Sequence, residues 1–171
     1  MHPSIPFIIG ILAVAAFLFS YQQKKRANII LFNVISRILY IIQYCLLGAF
    51  SGAVLDVLGT GSSIAAGQSE RVRIRRFKWV ILALVNAAII TAGLLLYENI
   101  FSLFPIVGVL LHTSAFWIKN ERIIRIVSLL GSPFWFVYNL TSLAYGSAIG
   151  DILTMVSIII AMIRYRRQAV E

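Results

Sequence analysis

Charge is scarce in this chain. Only 12% of its 171 residues are Asp, Glu, Lys or Arg, against 60% hydrophobic, whereas a soluble domain carries about 25% charged residues. The mean hydropathy of +0.92 agrees. Too few polar residues remain to cover a water-facing surface, which excludes a soluble enzyme and a disordered chain. The single cysteine, Cys45, excludes a disulfide scaffold, and two histidines with one cysteine make no zinc signature. There is no Gly-rich phosphate loop followed by Lys, no His-Glu-x-x-His and no Gly-x-Ser-x-Gly. No enzymatic activity, cofactor or metal is expected. Acidic residues are scarcer still, 6 against 15 basic, for a net charge of +9. On a soluble domain that excess would point to nucleic acid. Here the basic residues lie in short runs between apolar segments, so they speak of membrane topology and no nucleic-acid partner is expected. What is present is the composition of an integral membrane protein.

A spanning helix needs about 20 mostly apolar residues. Seven segments fit: Ile5–Tyr21, Ile29–Gly48, Ser51–Gly67, Lys78–Leu96, Ile100–Ile118, Ile123–Ser142 and Gly146–Ile163. The third is short and interrupted by Asp56, Gly59 and Gly61. The first has no Lys or Arg before it, whereas Lys24, Lys25 and Arg26 follow it. It therefore reads as an uncleaved helix with its N-terminus outside, not as a signal peptide. Basic and non-basic connections alternate along the whole chain. Arg71, Arg73, Arg75 and Arg76 mark the loop after the third span, Lys119 and Arg122 that after the fifth, and Arg164, Arg166 and Arg167 the tail. The connections at Ala49-Phe50, Tyr97-Glu98-Asn99 and Leu143-Ala144-Tyr145 carry no cation. Seven spans with a cytoplasmic C-terminus satisfy the positive-inside rule throughout. Trp79, Trp117, Tyr21, Tyr97 and Tyr165 fall at span ends, where interfacial aromatics belong. The arginines from Arg71 to Arg76 are also candidates for anionic lipid headgroups, at about 1 kcal/mol per basic residue near the surface.

A gapless shift of 95 residues lays the first three spans on the last three. Ala49 meets Ala144, Ala53 meets Ala148, Asp56 meets Asp151, Ser62 meets Ser157 and Ala66 meets Ala161, with Tyr40 against Trp135 and Lys24 against Lys119. The shift crosses four spans, an even number, so both halves share one orientation. The reading is an all-α membrane fold of 3+1+3 plan. Two parallel triple-helix repeats, residues 5–67 and 100–163, are joined by a linker helix at 78–96, as in transporters of the SWEET type.

The length, this plan and the stretches Gly48-Ala49-Phe50-Ser51-Gly52-Ala53 and Tyr145-Gly146-Ser147-Ala148 resemble the bacterial inner-membrane proteins called YgjV-like. Those are similar to the wider PQ-loop and SWEET group. The resemblance implies a seven-helix fold in the cytoplasmic (inner) membrane and transport of a small solute. The chain departs from the wider group in having no Pro-Gln pair. Where SWEET-type carriers place asparagines on the third helix of each repeat to hold sugar, it has Asp56 and Asp151.

Asp56, Asp151 and Arg37 are the charges read as lying well inside spans, each costing about 2.5–3.5 kcal/mol at a helix centre. Arg37 lies roughly 13 Å into the second span and Asp56 roughly 7 Å into the third, so an ion pair is expected. Ser132 occupies the repeat position of Arg37, which leaves Asp151 without a local cation. Such a carboxylate binds a cationic group or takes a proton. The alternative is a buried ionic lock with no transport role. Trp135 and Asn139, four apart on one helical face, join Tyr40 and Tyr138 as candidates for the wall of a substrate site. His112 is a second proton-coupling candidate, or a core histidine bonded to a carbonyl. Pro105 and Pro133 are read as mid-span hinges. The expected function is alternating-access transport of a small polar solute. The alternatives are a non-transporting membrane scaffold and a channel.

Overall fold

The computed structural model describes residues 4–167. The N-terminal tail and Glu171 lie outside the described residues, as do the side chains of Tyr165, Arg166 and Arg167. Within that range all the regular secondary structure is helical, with no strand. The helices are α1 (Ser4–Tyr21), α2 (Arg26–Leu47), α3 (Phe50–Gly67), α4 (Val72–Arg76), α5 (Lys78–Leu95), α6 (Phe104–Phe116), α7 (Glu121–Thr141) and α8 (Tyr145–Arg167). A 3₁₀ turn, Ile100–Leu103, leads into α6. Helices suit a lipid environment because each satisfies its own backbone polar groups.

Four helices are long and apolar enough to cross a membrane: α2, α5, α7 and the Tyr145–Arg164 part of α8. Ile5–Tyr21 and Ile100–Phe116 are shorter apolar helices. The third expected span, α3, is in neither group, because Gly52, Gly59, Gly61 and its serines dilute its apolar character. The basic stretch expected to be a loop is in part helical: it forms α4, whose Arg73, Arg75 and Arg76 are exposed. Glu70 pairs with Lys119 at 2.9 Å, and that ammonium holds its carboxyl below the usual range.

The sequence sorts its polar residues inward. On α2 the buried face is Asn33, Ser36, Arg37, Tyr40, Gln43 and Tyr44, while Leu31, Ile35, Ile38 and Ile42 face out. On α7 the buried face is Arg125, Ser128, Ser132, Trp135, Tyr138 and Asn139, while Ile123, Ile126, Leu130 and Leu140 face out. Spacings of three and four put each set on one stripe. In water this pattern would be inverted; in lipid the apolar stripe is the solvated one.

Neighbour relations recur with the sequence shift. Helix α1 packs on α2, and α2 on α3; α6 packs on α7, and α7 on α8. Across the two groups α1 meets α8 and α3 meets α6. Individual bonds recur too. Gln22 Nε2 donates to Ser157 Oγ (2.7 Å), and Trp117 Nε1, 95 residues on, donates to Ser62 Oγ (3.1 Å). Ser147 Oγ donates to Gln43 Oε1 (2.7 Å); at the shifted positions the Gly52 N–H donates to Tyr138 Oη (2.9 Å). The α2–α3 turn passes through Gly48 at φ 74°, and the α7–α8 turn through Leu143, its repeat mate, at φ 57°. Each turn closes with the same bond, Ala49 N–H to Tyr44 O and Ala144 N–H to Asn139 O, both 2.9 Å.

Two arginines tie one group to the other. Arg125 on α7 donates to Tyr21 O (3.3 Å) and Gln23 O (2.8 Å) at the end of α1. Arg26 on α2 donates to Phe116 O and to Ile118 O (3.0 Å) at the end of α6, and to Ala66 O (2.9 Å) at the end of α3. Phe116 and Ile118 are the repeat positions of Tyr21 and Gln23. Helix C-termini leave unpaired carbonyls, and here a guanidinium of the opposite group satisfies them. Arg125 falls just inside the start of the sixth expected span, Ile123–Ser142. It is only 3% exposed, because its fork reaches carbonyls that would otherwise be unbonded.

Pro105 does not lie mid-helix. It falls in the first turn of α6, where its missing N–H removes no helical bond, so the expected kink there is corrected. Pro133 does lie inside α7.

Candidate functional site

The buried stripes of α2 and α7 converge on a small central cavity with α1, α3, α6 and α8. Its wall consists of four pairs related by the 95-residue shift, plus one unmatched residue. The pairs are Phe17 with His112, Tyr40 with Trp135, Tyr44 with Asn139, and Asp56 with Asp151; the unmatched residue is Arg37. Two of the pairs touch. Tyr44 Oη donates to Asn139 Oδ1 at 2.7 Å, and the Phe17 and His112 rings lie 5.8 Å apart. About 20 Å³ is open to the centre of a water-sized sphere, room for a group the size of a water molecule.

Charge is distributed unevenly in the wall. Arg37 Nη1 pairs with Asp56 Oδ1, both side chains 5% exposed or less. Arg37 Nε donates to Asn33 Oδ1 (3.0 Å), one turn away on α2, which fixes the plane of the guanidinium. Asp151 Oδ2 accepts from Asn139 Nδ2 at 2.8 Å. Among the described residues it has no ion-pair partner. A relay therefore runs from Tyr44 through the Asn139 amide to Asp151. His112 Nε2 lies 2.8 Å from Ser128 O. A carbonyl only accepts, so this nitrogen carries the hydrogen.

Aromatic faces form the rest of the wall. Tyr44 stacks on Tyr40 (6.1 Å, 20°) and on Trp135 (6.1 Å, 14°). Tyr138 meets Tyr44 and Trp135 edge-on. Of the residues expected at the site, Asp56, Asp151, Arg37, Trp135, Asn139, Tyr40 and His112 line the cavity, whereas Tyr138 does not. It lines a second, wider pocket of about 240 Å³ among the α2–α3, α5–α6 and α7–α8 connections. Its hydroxyl is anchored to α3 by Gly52 N–H and lies 2.8 Å from Ser51 Oγ. Tyr138 thus stands between pocket and cavity.

Sequence reasoning missed Phe17 and Tyr44 as wall residues. The signal was present. Each is the 95-residue mate of a position already singled out, His112 and Asn139, but unlike chemistry hid the correspondence. No group of His, Cys, Asp and Glu that could hold a metal exists among the described residues.

No curated protein and no solved structure matches the chain. The family model Imp-YgjV, described as a bacterial inner membrane protein, matches residues 4–169, and with its apolar helices and buried polar centre the chain belongs to that family of inner-membrane proteins.

Proposed function

We propose that this protein is a carrier for a small polar solute, moving it by alternate exposure of the central cavity. The reading takes residues 5–67 and 100–163 as two parallel three-helix repeats around one axis. The linker helix spans 78–96, the N-terminus lies outside and the C-terminus lies in the cytoplasm, on a SWEET-like plan. The observation that carries it is the cavity wall, in which repeat mates face one space and supply its charged, amide and aromatic groups. A site on a pseudo-twofold axis between repeats is where rocking of one bundle against the other opens first one side, then the other. In this reading Tyr138 is the outer barrier and Pro133 is where α7 bends. The exposed arginines around α4 face the cytoplasmic leaflet and contact anionic headgroups.

A scaffold with a structural polar interior is the competing reading, favoured by the small cavity volume. Uptake of a panel of labelled polar solutes into proteoliposomes separates the two. Saturable uptake of at least one solute, abolished in Asp151→Asn, is expected of the carrier. A folded protein that moves none of them is a scaffold.

A further inference from the structure

We propose that the central site takes the protonated amine of a small organic cation, held between the Asp151 carboxylate and the aromatic wall of Tyr40, Tyr44 and Trp135. The proposal rests on the carrier reading for its physiological use, but not for binding itself.

Charge comes first. Asp56 already has its cation in Arg37. Asp151 has only the neutral amide of Asn139. With the three groups ionised the wall carries one surplus negative charge, which repels anions. The relay from Tyr44 occupies Oδ2 of Asp151. Oδ1 accepts no hydrogen bond from the described residues and remains the acceptor for an incoming N–H.

Ring geometry comes second. Ring faces carry negative potential, and a desolvated cation is drawn to the face of Trp or Tyr. Three nearly parallel rings in one wall, one of them Trp, fit an ammonium group better than a polyol. A polyol needs many free donors and acceptors. Here Arg37 is bonded to Asp56, Tyr44 to Asn139 and His112 to Ser128. An ammonium group is also about the size of the space available. The route agrees. Among the residues lining the wider pocket beyond Tyr138, Glu98 is the one charged side chain, and a carboxylate there concentrates cations.

The test uses the full-length protein in nanodiscs, with calorimetry and thermal unfolding in methylammonium chloride, sodium chloride and glucose. Saturable binding of an ammonium probe, with a rise in Tm over the sodium control, is expected. Affinity should fall more than tenfold in Asp151→Asn and in Trp135→Leu. Trp135→Phe, which keeps a ring, should lose less, and Arg73→Gln should match wild type. If Asp151→Asn does not fold, the Trp135 pair decides. Absence of ammonium binding overturns the proposal, as does equal stabilisation by sodium or glucose binding with the same residue dependence. Ammonium binding without uptake would overturn the carrier reading and leave this site standing. Uptake of a neutral solute without ammonium binding would do the reverse.

Discussion

The Arg37–Asp56 pair shows how a membrane protein tolerates a costly residue. Neither charge could remain buried alone, and together they complete a chain from Asn33 to α3. Removing one partner of a buried pair costs about 3–5 kcal/mol, whereas replacing both with apolar residues is often neutral. Arg37→Gln should therefore lower unfolding free energy in detergent by about that amount, and Arg37→Met with Asp56→Leu should recover most of it. A second residue bears strain of another kind. Leu143 adopts φ 57°, where its mate is Gly48, and a side chain in that region costs about 1–2 kcal/mol. Its side chain is 65% exposed, so little packing is at stake. Leu143→Gly should stabilise the protein by about 1 kcal/mol, less the added freedom of the unfolded glycine, and Gly48→Leu should destabilise it. Chemical denaturation of both variants checks the sign.

At the level of helices, cohesion comes less from apolar contact, which lipid supplies equally well, than from specific polar ties. Two of them span the two groups: Arg125 on the end of α1, and Arg26 on the end of α6. A hydrogen bond from a charged donor contributes about 1.5–3 kcal/mol. Arg26→Gln and Arg125→Gln should each lower stability by about that much. Arg26→Lys should rescue little, since an ammonium lacks the planar fork that reaches several carbonyls at once. Thermal unfolding in one detergent, with all three variants side by side, tests this.

For the whole molecule, orientation is the open quantity, and the sole cysteine makes it measurable. Cys45 is exposed, so a Cys45→Ser background is needed. In it Glu98→Cys should react with a membrane-impermeant thiol reagent from outside the cell, and Arg73→Cys only after the membrane is opened. The reverse pattern would invert the topology. The helical class, most element positions and the Arg37–Asp56 pair were legible in the sequence, because apolar length, charge spacing and reach set them. Less was legible where tertiary contact decides. Nothing local to Arg125 announces that carbonyls at the end of α1 will receive it. Pro105 looked mid-span, since the 3₁₀ turn at Ile100–Leu103 delays the start of α6. Tyr44 was not read as a wall residue, although its mate Asn139 had already been singled out.

Arg37 is the one wall residue whose mate, 95 residues on, does not line the wall. Ser132 stands there, and Thr154 stands where the first half has Gly59. A Cβ on Gly59 would collide with Arg37 Nη1, so that glycine is the seat of the guanidinium. Thr154, fully buried, fills the matching seat with a methyl and a hydroxyl. The first half thus holds a guanidinium docked on Asp56, and the second half has the matching carboxylate, Asp151, without such a tether among the described residues. Ser132→Arg with Thr154→Gly should restore the missing tether, dock it on Asp151 and leave a well-folded protein that plugs itself. Its Tm should equal or exceed that of wild type, while ammonium binding disappears.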